Sequence, residues 1–221
     1  MKIIVGSQSI GKKKYFENLF DEYDFEFILA SDLGFDEPIE NGHTSYENAF
    51  IKARHYSKLS GYPCIALDSS LTFLDFPENH EIQVGSHVKS PQGKVLNPIE
   101  LRDYYMNLAH EHGGKLRAAW IDAYALVTPD FEYCKSFIDE VDDSIGFYLV
   151  DECHTKFNES LPLDSISKKI DPFMFYYDYD EAVENGIILK GNSGLNKYSC
   201  FVDKVIEEMA EILGEVYESR D

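Results

Sequence analysis

Basic residues are scarce in this chain. Its 221 residues hold 20 lysines and arginines against 40 aspartates and glutamates, a formal net charge of -20. An acidic excess of that size repels a phosphate backbone, and no basic stripe interrupts it, so a nucleic acid polymer is not an expected partner. A small nucleotide survives the same argument, because a few lysines and a divalent cation can hold a few phosphates locally. Cysteine is also rare. Cys64, Cys134, Cys153 and Cys200 are widely spaced and form no CxxC pair, which speaks against a structural zinc site and against a disulfide-dense secreted scaffold. No uncharged apolar stretch approaches the roughly 20 residues that span a bilayer. The opening run from Met1 to Val5 meets Gly6 at once, too short for the apolar region of a signal peptide. The expected setting is soluble, reducing and cytoplasmic, with no membrane partner. Internal repeats and low-complexity tracts are absent too. Core material is plentiful, with 44% hydrophobic and 14% aromatic residues, which suits one large domain or two closely packed lobes.

The hydrophobic pattern predicts a short buried strand over residues 2–5, a helix over 12–20 and a second strand over 25–29. Thr44 and Glu47 have capping-box spacing and open a helix that ends before Gly61. Residues 64–67 read as another buried strand, ending at Asp68. The polar stretch 75–97 reads as an irregular excursion, and Pro98 as the start of a helix reaching His112. A long strand is expected over 117–127, with 131–137 and 145–150 continuing an antiparallel sheet. Phe173, Phe175, Tyr176, Tyr177 and Tyr179 have strand-like spacing and read mostly as packing residues. A final helix runs from about Ser199 to Leu213 on a 3.6-residue period. Strands alternating with helices early, then consecutive strands, predict a mixed α/β fold around an elongated sheet.

Three places carry candidate chemistry. Gly6-Ser7-Gln8-Ser9-Ile10-Gly11-Lys12 lies between a strand and a helix, where free amides and a lysine can cradle phosphate. It fits neither GxxxxGK[ST] nor GxGxxG, and taken alone it reads more simply as an ordinary strand-to-helix turn with its lysines on a wet face. Glu47 opens its helix with Lys52 five residues on, and Asp68 ends a buried strand beside Ser69 and Ser70. Two carboxylates from separate elements can hold Mg²⁺, a hard cation that prefers oxygen. The plainer reading makes Glu47 a capping residue and Asp68 a turn residue.

These segments resemble the Ham1-like nucleoside triphosphate pyrophosphatases. Gly42-His43-Thr44-Ser45-Tyr46-Glu47-Asn48-Ala49-Phe50-Ile51-Lys52-Ala53-Arg54 is similar to GxTFEENAxxKA. Gly61-Tyr62-Pro63-Cys64-Ile65-Ala66-Leu67-Asp68-Ser69-Ser70-Leu71 resembles GLPALADDSGL, and the segment from Gly6 to Lys12 resembles ATxNxGK. Less closely, the segment from Val84 to Lys89 is similar to a PGxxxK variant, and Arg117-Ala118-Ala119-Trp120 to RxAxF. The resemblance implies a single Ham1-like domain over 1–221, a long mixed sheet with two lobes around a cleft, and a homodimer. It also implies hydrolysis between the α and β phosphates of a nucleoside triphosphate, with Mg²⁺ or Mn²⁺ as cofactor. Lys12 and Lys52 would hold the triphosphate, with Ser9, Gly11 and Ser69 beside it and Lys89 as a further contact. Glu47 and Asp68 would bind the metal, and Asp68 would orient the attacking water.

The departures are informative. Leu67 precedes Asp68 where the family has a second acid, and Ser70 replaces a glycine. In the base-recognition half, Ile170-Asp171-Pro172-Phe173 is similar to YDPIF, but Lys168 and Lys169 stand where a phenylalanine and a glycine are usual. Leu195-Asn196-Lys197-Tyr198-Ser199-Cys200-Phe201 resembles KNxxSHR, with Leu195, Cys200 and Phe201 in place of lysine, histidine and arginine. Asp171, Phe173, Asn196, Ser199, Cys200 and Phe201 are therefore the expected base contacts, without the donors that read purine carbonyls. Each lost buried donor is worth roughly 1 to 3 kcal/mol. An altered base preference is the expectation; the ordinary inosine and xanthosine triphosphate substrates, and nucleotide binding without efficient turnover, are the alternatives. His43, in a polar loop, is expected to face solvent rather than act in catalysis.

Overall fold

The computed structural model describes residues 1–188 and 193–218, with side chains of the last segment over 197–215. Among the described residues seven strands and five α-helices form an α/β fold with a mixed central sheet: β1 Lys2–Val5, α1 Ile10–Leu19, β2 Glu26–Leu29, α2 Ser45–Ser60, β3 Cys64–Phe73, α3 Pro98–Glu111, β4 Lys115–Val127, β5 Glu132–Ser136, β6 Phe147–Val150, β7 Ser167–Lys169, α4 Tyr176–Glu184 and α5 Ser193–Glu218. The chain divides into two compact units, one of Met1–Ser70, Ile121–Glu140 and Lys197–Asp221, the other of Leu71–Trp120 and Val141–Asn196. No helix among the described residues is long and apolar enough to cross a membrane.

In the first unit β1 pairs in parallel with β2 and with β3, and the far half of β4 pairs antiparallel with β5. Its core joins Ile4 of β1, Ala49, Ala53 and Tyr56 of α2, Cys64 and Ala66 of β3, and Ala123, Ala125 and Val127 of β4. The many alanines let α2 lie close to the sheet. Gly6 serves the same closeness, since a Cβ there would stand 3.2 Å from both the Ala66 Cβ and the Cys64 Sγ. In the second unit the near half of β4 pairs antiparallel with β6, and β6 with β7. Its core is built from Leu71 and Phe73 of β3, Tyr105 of α3, Leu116 of β4, and Leu149 of β6.

Two expectations need correcting. The third strand does not end at Asp68 but runs on to Phe73. Asp-Ser-Ser looks like a loop because its partners are remote: Ser69 Oγ donates to Asp122 at 2.5 Å and Ser70 Oγ to Ser45 at 3.1 Å. Those bonds satisfy the hydroxyls that would otherwise break a strand. The aromatic group also differs, because Tyr176 and Tyr179 belong to helix α4. Three residues apart, they share a helical face, and the Lys169 ammonium lies 5.1 and 4.2 Å from their ring centres.

Candidate active site

Helix α1 starts at the loop that follows β1. Ser9 caps it, its Oγ accepting from the Lys12 amide at 3.4 Å, while Ser7 Oγ accepts from the Ser9 amide at 3.1 Å. Gly11 lies exposed on the first turn. Lys12, one residue on, reaches back to the sheet, and its Nζ donates to the Leu67 carbonyl of β3 at 2.7 Å. Leu67 offers no carboxylate, but its backbone anchors this ammonium.

Helix α2 is fixed by local chemistry. Thr44 Oγ1 accepts from the Glu47 amide at 3.2 Å, and Glu47 Oε2 accepts from the Thr44 and His43 amides at 3.1 and 2.7 Å, a complete capping box. These two amides, Thr44's foremost, hold the Glu47 carboxyl below its ordinary range despite its exposure. Asn48, only 2% exposed, closes the loop by accepting from the Gly42 amide at 2.8 Å and donating to the Gly42 carbonyl at 3.2 Å. A Cβ at position 42 would lie 2.6 Å from both Asn48 Oδ1 and the Glu47 Cβ, so glycine is required by close approach. One turn further on, Lys52 is 6% exposed. Its ammonium donates to Asp68 Oδ1 at 2.5 Å and to Glu40 Oε2 at 3.1 Å.

Lys12 and Lys52 thus reach the neighbouring β3 residues Leu67 and Asp68, and Glu40 joins Lys52 from the loop before α2. Burial above all lowers the Lys12 ammonium below the ordinary lysine range; the neighbouring Lys52 charge adds to this, and Asp68, Glu40 and Asp122 oppose it. The arrangement holds two ammoniums among three carboxylates. Glu40 and Asp122 were not singled out from the sequence, where neither lies in a recognisable spacing with Lys12 or Lys52. Glu47's hydrogen bonds go instead to its own capping box.

Lys89 belongs to the second unit, in a turn-rich segment where its carbonyl accepts from the Leu96 amide at 2.9 Å. Asp171 and Phe173 belong to that unit as well. Phe173 is exposed, packs edge-on to Tyr148 at 5.6 Å, and has the Lys115 and Lys168 ammoniums 5.5 and 4.8 Å from its ring centre. Ser199 and Cys200 are exposed on α5. Phe201 is 6% exposed and packs against Tyr124 and Phe137 at ring distances of 6.1 and 5.3 Å. The side chains of Leu195 and Asn196 lie outside the described residues.

An α/β protein whose first unit sets a half-buried and a buried lysine, carried on two helices, beside carboxylates of a strand and a loop is the class that this geometry defines. The model of the Ham1 family matches residues 3–137, and the chain belongs to that family. A dITP/XTP pyrophosphatase of Brucella melitensis is 31% identical over 141 residues, which cover 59% of this chain and 61% of that protein. One of Haemophilus influenzae is 43% identical over 70 residues, 32% of this chain and 36% of that protein. The chain therefore spans less than two thirds of the curated relatives it matches. Among solved structures, a HAM1 protein from Coxiella burnetii aligns over 97% of this chain and 99% of its own, with a TM-score of 0.65 and 19% identity. The Staphylococcus aureus Ham1 protein aligns over 92% and 99%, with a TM-score of 0.61 and 18% identity. At those identities the two structures show the fold.

Proposed function

We propose that this chain is a nucleoside triphosphate pyrophosphatase that cleaves the α–β phosphate bond and releases a nucleoside monophosphate and pyrophosphate. The observation that carries the reading is the pair of ammoniums, half-buried Lys12 on the first turn of α1 and buried Lys52 on the second turn of α2. Drawing like charges away from water is costly, and the lowering of the Lys12 ammonium expresses that cost. Phosphate oxygens arriving between them would offset it. Membership of the Ham1 family, and relatives named dITP/XTP pyrophosphatases, support the same reaction. Ser9, Gly11 and Ser69 line the chain segments next to these lysines and complete the proposed phosphate contacts.

The donors suit a divalent cation. Asp68 and Glu40 both touch the Lys52 ammonium, so their hard oxygens are within reach of one Mg²⁺ or Mn²⁺ and its waters. Among the described residues no group of three or more His, Cys, Asp or Glu is arranged to hold an ion alone; Mg²⁺ commonly takes one or two carboxylates and completes its sphere with waters and phosphates. Charge balance argues likewise. Two ammoniums against three carboxylates leave the cluster negative before any phosphate enters, so a triphosphate needs added positive charge. A bound divalent cation would supply that charge and Lewis acidity toward the phosphoryl oxygens. Lys12 and Lys52 would stabilise charge developing on the leaving pyrophosphate, and Asp68 would orient the attacking water and accept its proton. Glu47 keeps α2, and with it Lys52, in place.

The base end of the reading is an altered preference. Cys200 and Phe201 offer a weak donor and none, and the Phe201 ring is spent on core packing. A screen of canonical, deaminated and modified triphosphates, reading both monophosphate and pyrophosphate, tests the whole reading. Tight binding without cleavage of any candidate would replace it with a nucleotide-binding role, which the missing acid at Leu67 would then explain. A kcat/KM for inosine triphosphate 100-fold above every canonical nucleotide, about 2.7 kcal/mol, would refute the altered preference.

A further inference from the structure

Five side chains of the first unit form one continuous hydrogen-bonded chain. Tyr15 and Tyr124 hydroxyls are 2.6 Å apart, Tyr124 and Tyr198 hydroxyls 2.9 Å, Tyr198 bonds Asp122 Oδ2, and Ser69 Oγ donates to Asp122 Oδ1 at 2.5 Å. Its polarity follows from proton counting. An ionised carboxylate only accepts, so Tyr198 must spend its single proton on Asp122. Tyr124 must then donate to Tyr198, and Tyr15 to Tyr124. Every proton in the chain points toward Asp122. Tyr124 is fully buried, and burial, ahead of its hydroxyl neighbours, raises its phenol well above the ordinary range, as it does that of Tyr198. Tyr124 and Tyr198 therefore keep their protons throughout the neutral range.

The two ends of the chain matter most. Tyr15 stands three residues after Lys12 on α1, hence on the same helical face, and Ser69 directly follows Asp68 on β3. We propose that the Tyr15–Tyr124–Tyr198–Asp122–Ser69 chain is a positioning device that locks the helix carrying Lys12 to the strand carrying Asp68, with Tyr198 of α5 as its closing link. The inference rests on the proposed hydrolysis, because only that reading gives the Lys12–Asp68 geometry a purpose. Asp122 is its hub, with one carboxylate oxygen for the tyrosines and the other for the serine. The device also gives the C-terminal helix a purpose at the site: without Tyr198, Asp122 loses the partner that holds its second oxygen. A buried polar network of this kind rigidifies when every member is satisfied.

The test compares Tyr198→Phe, Asp122→Asn, their double variant, and Tyr133→Phe. Tyr133 donates to Glu208 of α5 at 2.6 Å, so its variant removes a different hydroxyl link to the same helix. Tyr198→Phe and Asp122→Asn should each lower kcat about tenfold with KM within about twofold, as expected when one hydrogen bond to a charged group ceases to hold reacting groups in place. The double variant should be no slower than the worse single one, since both cut the same chain, and Tyr133→Phe should match wild type. Hydrogen exchange of the segment around Asp68 to Ser70 gives a readout independent of turnover; it should quicken about tenfold in Tyr198→Phe and not in Tyr133→Phe. Unchanged exchange in Tyr198→Phe, an equal loss in Tyr133→Phe, or multiplying losses in the double variant would overturn the device. If wild type cleaves no triphosphate, the proposed function falls, and the exchange result alone decides the positioning claim.

Discussion

Replacing Lys52 with methionine keeps most of the side-chain volume and removes the charge on which two carboxylates converge. Lys52 is 6% exposed, and the side chains of its partners Asp68 and Glu40 are 13% and 40% exposed. Breaking a buried ion pair from one side typically costs about 3 to 5 kcal/mol, because the remaining charge is left uncompensated. Two features reduce that figure here. Glu40 is open enough for water to screen it, and the Lys12 ammonium remains near Asp68. A loss of about 2 to 3 kcal/mol at pH 7 is expected, corresponding to a Tm lowered by about 5 to 10 °C for a chain of this length. Urea unfolding of both proteins at pH 7 measures it. Adding Asp68→Asn should recover part of the loss and report a coupling energy of about 1.5 to 3 kcal/mol. Equal stability at pH 7 would show that the lysine does not hold this cluster together.

Three further outcomes are expected. Asp68→Asn preserves shape but removes the proposed proton acceptor, and should lower turnover about 10²-fold or more at saturating metal, measured by pyrophosphate release; equal turnover would remove Asp68 from the chemistry. Because the cluster is negative without phosphate, calorimetric titration with a non-hydrolysable triphosphate should show binding weakened at least tenfold when divalent cations are chelated, and undiminished binding in chelator would contradict the charge count. Glu47→Gln should cost about half a kcal/mol at neutral pH; since the native carboxyl is held below its ordinary range, that contribution is complete above the ordinary value and disappears as pH falls through the lowered one, and a penalty persisting at pH 2 would rule out the electrostatic account.

What could be read in the sequence was the part whose causes are local. The α2 capping box is four consecutive residues acting on one another, and it is present in full. The strand-to-helix turn before Lys12 and the helix opened by Pro98 have the same character. Asp68 was recognisable, but the strand continuing through it was not, because Ser69 and Ser70 find their partners 53 and 25 residues away. Glu40 and Asp122 went unnoticed for that reason: each gains significance only from a lysine or tyrosine brought to it by the fold. The tyrosines of the hydrogen-bonded chain share no motif, being separated by 109 and 74 residues, and Tyr198 falls at an unspecified position of the segment from Leu195 to Phe201. Charge behaves differently, because it sums without regard to contact. The excess of acids over bases in the whole chain, 40 against 20, recurs at the site as three carboxylates around two ammoniums. A long polyanion meets repulsion over its whole length and only a local pair of lysines to offset it. On the proposed reading a single triphosphate carrying its own divalent cation needs only that pair, so a composition unfavourable to a long polyanion remains compatible with a nucleotide.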